Sequence, residues 1–189
     1  LPTGTITALQ REEARSIAIM PSGKIMLAGT HLLRIDANGT LDTTFSSTPL
    51  AGAFSATDMK PQTDGKFVVS GSSGGNFAVA RYDGSALDAT FGGGSISVDF
   101  GATERSNALL IDPNGDIVVG GSSVGGSPTR RKFALARIRT TGTLDTTFGN
   151  GGKVISDLGG DAEIFGLTRQ TNGKYIASGE AKISVDRDY

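Results

Sequence analysis

The heptapeptide GTLDTTF occurs at residues 39–45 and again at residues 142–148, and the related octapeptide GSALDATF lies between them at residues 84–91. A charged segment with an aromatic end that recurs in this way has two interpretations. It is a ligand-binding signature used several times, or it is a structural turn that the fold needs once per repeat. The functional interpretation of the sequence depends on which alternative holds.

A second landmark alternates with the first and consists of a turn glycine followed by an apolar run. Its copies are PSGKIMLAG (21–29), TDGKFVVSG (63–71), PNGDIVVGG (113–121) and TNGKYIASG (171–179). The turn glycines are 42, 50 and 58 residues apart and are Gly23, Gly65, Gly115 and Gly173. Self-similarity of this kind indicates a repeat architecture. We divide the chain into the units 1–45, 46–91, 92–148 and 149–189.

Each unit is predicted to form four short strands, and the third copy shows the pattern best. Its strands are assigned, in order, to SISVDF (95–100), NALLID (107–112), DIVVGGSS (116–123) and FALARI (133–138). The Asn-Gly pair between the second and third strands is typical of a two-residue hairpin turn with positive φ angles.

Repeats of about 40–60 residues with four antiparallel strands favour the blades of a β-propeller. We therefore predict an all-β protein, a β-propeller of about four four-stranded blades in a single domain spanning residues 1–189. The blades close as a small ring, or they form part of a larger or oligomeric ring. Because the chain begins with Leu1 and not with Met, we expect it to be an excerpt of a longer protein.

The repeat unit resembles the delta-60 repeat, a bacterial β-propeller-like repeat found in large surface and secreted proteins. The resemblance is strongest in FALARIRTTGTLDTTFGNGGKVISDLGG (133–160) followed by TNGKYIASG (171–179), and it covers essentially the whole chain. The chain departs from the family pattern at Thr140 and Thr141 and at Gln62. The resemblance implies a propeller-like repeat array and offers no catalytic residues to transfer.

Composition excludes several classes of site. The formal net charge of −1 gives no general attraction to nucleic acid, and no apolar run approaches the ~18 residues of a membrane helix. With no cysteine, the chain has neither disulfides nor thiolate chemistry. Its single histidine, His31, starts a predicted strand, which argues against zinc and against a Ser-His-Asp triad. We predict no nucleic-acid partner and no membrane insertion.

Acidic residues are the remaining candidates for catalysis, because propellers can carry the paired carboxylates of glycosidases. Most of them recur with the repeat and are therefore better explained as structural. Glu104 and Glu163 lie just before predicted second strands and are candidate binding residues. This pattern favours a protein that is not an enzyme, with a polysaccharide hydrolase or lyase as the alternative.

The segment DANGTLD (36–42) places Asp36, Asn38 and Asp42 in an arrangement similar to an oxygen-ligand loop for calcium. The third copy has Arg139 in the matching loop, and a repeated metal site would not lose its ligands there. We predict no metal and no cofactor, with calcium kept as the open alternative.

The segment TRRK (129–132) belongs to an insertion that lengthens the third copy, and we expect it to lie in a loop. Inserted loops of propellers often carry binding specificity. Arg130, Arg131 and Lys132 are therefore candidates for binding an acidic glycan, a phosphate or a carboxylate of a partner. The alternative is a solvated loop tip without a binding role.

The recurring segment itself is expected to be structural and to connect one blade to the next. Its leucines are predicted to fill the space between blades, its aspartates to accept hydrogen bonds from the turn backbone, and its phenylalanines to be buried between sheets. These residues are Leu41, Leu87 and Leu144; Asp42, Asp88 and Asp145; and Phe45, Phe91 and Phe148.

The function predicted from the sequence is a non-catalytic structural or recognition module on the outside of a cell or virion. It would present loops to a protein or carbohydrate partner, and it could also self-assemble. One alternative is a structural component of a virion or appendage. The other is the polysaccharide hydrolase or lyase on a propeller scaffold.

Overall fold

The short apolar runs of the repeat form strands that group into four antiparallel sheets, which we number as blades 1 to 4. The computed structural model describes residues 13–127 and 129–182. Blade 1 consists of β1 (Ser16–Ile19), β2 (Ile25–Ala28), β3 (His31–Ile35) and β4 (Thr48–Pro49). Blade 2 consists of β5 (Ser55–Pro61), β6 (Phe67–Ser73), β7 (Asn76–Asp83), β8 (Ala86–Leu87) and β9 (Ser95–Val98).

The second half of the chain repeats this plan. Blade 3 consists of β10 (Thr103–Ile111), β11 (Ile117–Gly125), β12 (Arg130–Ile138) and β13 (Lys153–Ser156). Blade 4 consists of β14 (Asp161–Arg169) and β15 (Tyr175–Lys182), and the segment ISVDRDY (183–189) lies outside the described residues. Within those residues, the helical segments are 3₁₀ turns at Ala51–Ala53 and Gly92–Gly94, and no helix could cross a membrane. The predicted all-β class is confirmed.

The last strand of each complete blade comes from residues that follow the recurring LDTTF-type segment. Strand β9 pairs with β7, so that Val98 lies opposite Phe77, and β13 pairs with β12 in the same way. The assignment of SISVDF (95–100) as the first strand of the third unit is therefore wrong, because this segment completes blade 2. The alternating pattern of this segment fits an edge strand of blade 2 or of blade 3, and only its pairing partner distinguishes these two positions.

This correction also changes the role of the recurring segment. The segment connects the third and fourth strands of one sheet, so it is not the link between blades that we expected. It nevertheless touches the next blade: Gly92 N, just after the blade 2 segment, donates a hydrogen bond to Thr141 O at 2.9 Å. Blades are instead linked by the residues between a fourth strand and the following first strand.

The hairpin between the first and second strands is present at all four predicted places. Gly23, Gly65, Gly115 and Gly173 have φ angles of 79°, 88°, 86° and 86°. The predicted two-residue turn is wrong, however. In blade 3, Asp112 N donates to the carbonyl oxygen of the residue after Gly115, and Gly115 N donates to Asp112 O, both at 2.8 Å. This is a three-residue loop with glycine in its left-handed position.

A second glycine of each repeat lies inside the second strand, against the first strand. A Cβ on Gly121 would lie 1.9 Å from the carbonyl oxygen of Arg105, which leaves no room for any side chain. The equivalent Cβ–oxygen distances in the other blades are 1.8–2.2 Å, at Gly29, Gly71 and Gly179. In blade 3 the first strand has a register shift between Ser106 and Ala108 beside this contact.

Hydrophobic clusters join neighbouring blades. One cluster contains Met26 from blade 1 and Met59 from blade 2, and another contains Val68 from blade 2 and Leu109 from blade 3. The first strands of successive blades contact each other, so they line the inner side of the blade array. Ile17 of blade 1 is 65% exposed, so blade 4 does not cover blade 1. The described blades form an open arc, and the alternative of a closed four-blade ring is wrong for them.

Candidate functional site

The recurring segment is held together by its aspartate, as Asp88 of blade 2 shows. Its Oδ1 accepts hydrogen bonds from Thr90 N at 3.1 Å and from Thr90 Oγ1 at 2.6 Å. Its Oδ2 accepts hydrogen bonds from Arg81 Nε and from Lys66 Nζ, each at 2.7 Å. The prediction that this aspartate accepts hydrogen bonds from the backbone of its own turn is confirmed.

The turn aspartates of the three complete blades are stabilised in the charged form. The hydrogen bond from Lys24 is the main reason that the pKa of Asp42 lies well below its usual range, and a lysine has the same effect on the pKa of Asp88. Hydrogen bonds from Thr147 are the main cause that lowers the pKa of Asp145 to about 2. These carboxylates have partners inside the turn, which identifies them as structural groups.

The residues that resembled a calcium loop are engaged with other side chains. Lys24 Nζ lies 3.0 Å from Asp36 Oδ1 and also contacts Asp42, so the two carboxylates share one ammonium group. Asn38 Oδ1 accepts a hydrogen bond from Thr40 N at 3.0 Å. Across the described ranges, no cluster of three or more His, Cys, Asp or Glu side chains could hold a metal ion. Lys24 therefore connects the two carboxylates of this loop.

The phenylalanine of the recurring segment packs beneath an arginine of the third strand. The guanidinium carbon lies 4.8 Å from the ring centroid in each of the pairs Arg34–Phe45, Arg81–Phe91 and Arg137–Phe148. Phe45 and Phe91 are buried, as predicted, whereas Phe148 is half-buried. The same arginine binds the aspartate, so one side chain organises both the acid and the ring of the turn.

The leucines of the segment do not share one environment. Leu41 and Leu144 are half-buried, but Leu87 is 40% exposed in the two-residue strand β8. The prediction that all three fill the space between blades is therefore wrong for Leu87. Its side chain instead lies against the backbone turn at Gly94, where a Cβ would approach it to 2.8 Å.

The basic segment TRRK lies mostly in a strand and not in the predicted loop. Arg130, Arg131 and Lys132 belong to β12, where they pair with the end of β11. Arg130 and Lys132 lie 3.8 Å and 3.2 Å from Asp157, and Arg131 Nη1 donates to Glu163 Oε2 at 2.8 Å. Repeated strand pairing extends β12 to residue 130, so these cations connect blade 3 to the acids that follow it.

A cleft of about 520 Å³ opens on the inner side of the arc. We call it the inner cleft. It lies where the first strands of blades 2 and 3 begin and where their second strands end. Its side chains are mainly hydroxyl groups and guanidinium groups, with one amide, one carboxylate and few apolar groups. The members used below are Arg15, Arg105 and Arg131; Glu104 and Asn107; and Ser122.

The inner cleft is lined at positions where the repeats differ from one another. The carbonyl that packs on the strand glycine belongs to Glu13 in blade 1, Ser55 in blade 2, Arg105 in blade 3 and Glu163 in blade 4. One backbone position thus carries two acids, a serine and an arginine. Glu104 lies one residue before this position, so the two predicted glutamates are not equivalent. Of the four residues at this position, Ser55 and Arg105 line the inner cleft.

The carboxylate of Glu104 is buried and only partly satisfied. The residue is 2% exposed, and its Oε1 accepts hydrogen bonds from Ala102 N and Ser123 Oγ, each at 3.1 Å. Its Oε2 is buried without a hydrogen-bond partner, as is the hydroxyl oxygen of Ser122. Buried polar atoms are normally hydrogen-bonded, so these two oxygens are exceptions among the groups packed behind the cleft.

The two predicted glutamates have different roles. Glu163 accepts hydrogen bonds from Asn107 Nδ2 and from Arg131 Nη1, both at 2.8 Å, and so joins blades 3 and 4. Arg105, by contrast, is exposed, and its guanidinium has no hydrogen bond or ion pair with any residue in the described part of the chain. The inner cleft therefore presents an exposed guanidinium that has no ion-pair partner among the described residues.

Two of the binding residues predicted from the sequence, Glu104 and Arg131, line the inner cleft, and Glu163 lies outside the lining and contacts Arg131. The prediction placed Arg131 on a loop, and the structure places it in β12. The sequence analysis did not include the remaining members of the lining. It missed Arg105 and Ser122, which lie opposite each other in the pairing of β10 with β11. The signal that could have found them is the change of residue type at one repeat position while the adjacent glycine stays the same.

Two segments match a β-propeller repeat family. The family model is described as "Domain of unknown function (DUF5122) beta-propeller", and it matches residues 21–45 and 112–148. A crystal structure of a protein of unknown function from Bacteroides caccae is similar at 13% identity and a TM-score of 0.55, covering 89% of this chain. The chain spans 54% of that protein, about half its length.

A second solved structure, virginiamycin B lyase from Staphylococcus aureus, has 13% identity and a TM-score of 0.44. The alignment covers 90% of this chain and 71% of the lyase, and at this score it carries no argument about activity. No curated protein sequence matches the chain. The matched family is described as a β-propeller, and this agrees with the four antiparallel sheets of the structure.

Proposed function

We propose that the chain is a non-catalytic recognition module of the delta-60 type, which binds an acidic carbohydrate in the inner cleft. We place it in an extracellular or surface-exposed assembly. The observation that carries this proposal is the exposed guanidinium of Arg105, which has no partner among the described residues and lies in a cleft lined mainly by hydroxyl groups. The rigid blades provide the fixed backbone on which these groups are held.

The chemistry of the cleft suits a ligand that has both hydroxyl groups and a carboxylate. Sugar hydroxyls would form hydrogen bonds with the accessible hydroxyl groups of the lining, such as that of the exposed Thr103. A uronate carboxylate would accept two hydrogen bonds from the Arg105 guanidinium, a strong and directional pairing. Hydrogen bonds to charged groups contribute about 1.5–3 kcal/mol each, so Arg105 would account for a large part of the affinity.

The carboxylates of the cleft support binding in preference to hydrolysis. Glycosidases use two carboxyl groups on either side of the scissile bond. The described cleft lining contains one, Glu104, while the nearby Glu163 is engaged with Arg131 and Asn107. A second acid free to act as nucleophile or base is therefore not part of the described lining.

Isothermal titration calorimetry with oligogalacturonate, and with its methyl-esterified form as neutral control, tests the proposal. We expect binding of the acidic form only. Arg105→Gln should weaken it at least about tenfold, since 1.4 kcal/mol corresponds to a factor of ten. Arg130→Gln is the matched control and should change the affinity less than twofold, because Arg130 does not line the cleft.

Two results would overturn the proposal. The first is equal binding of both oligosaccharides, or none of either, by a folded protein. The second is release of shortened or unsaturated products that stops in Glu104→Gln, because that result would identify a hydrolase or lyase.

A further inference from the structure

The contact between successive blades uses a fixed pair of positions. Three residues after the turn glycine, the second strand carries Met26 in blade 1, Val68 in blade 2 and Val118 in blade 3. These side chains are 0–1% exposed. Met26 belongs to the cluster that includes Met59 of blade 2, and Val68 to the cluster that includes Leu109 of blade 3. We call this side of a blade the donor face.

The receiving side of the contact lies on the first strand, six residues before the turn glycine. Met59 and Leu109 occupy this position in blades 2 and 3, and they are 1% and 2% exposed because the preceding blade covers them. We call this side the acceptor face. Every described blade therefore has a donor face and an acceptor face that fit a neighbouring blade of the same kind.

At the two ends of the arc, the same positions are uncovered. On the acceptor face of blade 1, Ile17 is 65% exposed and the neighbouring Ile19 is 70% exposed. On the donor face of blade 4, Ile176 is 46% exposed, although its equivalents Met26 and Val68 are fully buried. Large apolar side chains that are exposed together mark interaction surfaces.

We propose that the acceptor face of blade 1 binds the donor face of blade 4 from a second copy of this chain. The two faces are the two halves of an interface that the chain already forms between its own blades, and this continuity identifies the occupant. The contact is heterologous, head to tail, so two chains can satisfy both ends of each other. Two four-blade arcs would contain eight blades, which lies within the range of closed propellers, about four to eight.

Light scattering coupled to size exclusion tests this contact over a range of protein concentrations. The wild-type chain should have twice its monomer mass of 19.4 kDa. Ile17→Glu and Ile176→Glu should each shift the protein to monomer. Both side chains are exposed within a single chain, so neither change disturbs the fold, and circular dichroism verifies this. Ile155→Glu, at another exposed isoleucine on β13, is the matched control and should remain dimeric.

Mixing the two variants tests the head-to-tail arrangement. Ile17→Glu keeps an intact donor face and Ile176→Glu keeps an intact acceptor face, so an equimolar mixture should recover a dimer through one undamaged contact. A wild-type protein that stays monomeric at high concentration would overturn the proposal. So would a dimer that only one of the two variants dissociates, because that pattern means that like faces pair with like.

Discussion

Truncation of Phe91 to alanine tests whether the recurring segment stabilises the blades. The ring is fully buried in the cluster between blades 2 and 3, and the Arg81 guanidinium lies over it at 4.8 Å. Replacing a buried phenylalanine by alanine costs about 3–5 kcal/mol, because the transfer free energy is lost and a cavity remains. We expect Phe91→Ala to lower the free energy of unfolding by that amount.

Phe148→Ala is the matched control, since Phe148 occupies the same place in the third segment and Arg137 lies over it at the same 4.8 Å. A cation–π contribution of about 0.5–2 kcal/mol is present at both positions, and Phe148 also contacts Tyr175, with the ring centroids 5.8 Å apart. Phe148 is partly exposed, so its truncation should cost less, in proportion to the smaller apolar area that it buries. The expected difference between the two variants is about 1 kcal/mol.

Guanidinium denaturation followed by circular dichroism gives the two free energies, and thermal unfolding gives an independent comparison. For a chain of this size, 1 kcal/mol shifts Tm by about 2–4 °C, so the two variants should differ by that amount. Equal losses, or a larger loss for Phe148→Ala, would refute the reasoning. Either result would mean that the ring contacts with arginine and Tyr175, and not burial of the ring between blades, determine the contribution of the segment.

Three further predictions concern the aspartate of the segment and the strand glycine. The pKa of Asp145 is about 2 in the folded state, which is below its unfolded value. The stabilisation that this carboxylate contributes is therefore complete above about pH 4 and is lost as pH falls towards 2. Asp145→Asn should flatten the decrease of Tm in that interval, and an unchanged slope would contradict this. Asp145→Ala should lower Tm and leave oligogalacturonate affinity unchanged, whereas lost binding with unchanged Tm would assign the aspartate to a binding site. Gly121→Ala should lower Tm far more than Gly125→Ala. A Cβ at residue 121 would lie 1.9 Å from the Arg105 carbonyl oxygen, whereas a Cβ at residue 125 would lie 3.0 Å from a side-chain methyl group. Similar Tm values for the two variants would show that the strands can separate.

The parts of the fold that were predictable from sequence are local in the chain. The turn at Gly115 needs a positive φ angle, and Asp88 accepts hydrogen bonds from Thr90, two residues further on. Such requirements involve only neighbouring residues, so they recur as readable motifs. The number of repeats and the all-β class follow from counting these motifs.

Pairing between distant segments was less predictable. The strand β9 alternates in a way that fits either neighbouring sheet, and it was assigned to the wrong one. The run Arg130 to Lys132 is charged and follows a glycine-rich turn, so it resembled a loop. The structure extends β12 through it because β11 provides the backbone partners and Asp157 and Glu163 provide the opposite charges. Neither partner can be inferred from the local sequence.

The candidate site was also only partly predictable, for a related reason. Glu104 and Glu163 both precede a predicted strand, and their roles could not be separated from the local pattern. When the repeats are aligned by their strand pairing, Glu104 and Glu163 differ in position by one residue. Glu104 lies opposite Ser123, and Glu163 lies opposite Glu180. This difference leaves one carboxylate with an unsatisfied oxygen in the inner cleft and the other in contact with Arg131.

The strand glycine explains how a repeat can hold its shape while its inner surface changes chemically. At Gly121 the close contact is made with the carbonyl oxygen of Arg105, so it depends on the backbone of that residue and not on its side chain. The same contact is made where the position carries Glu13, Ser55 or Glu163. Substitution there changes the side chain that the first strand carries without removing a packing contact that the blade requires. A repeat built in this way separates the backbone contact that stabilises it from the side chains that vary among blades, and the proposed binding residue Arg105 is one of those side chains.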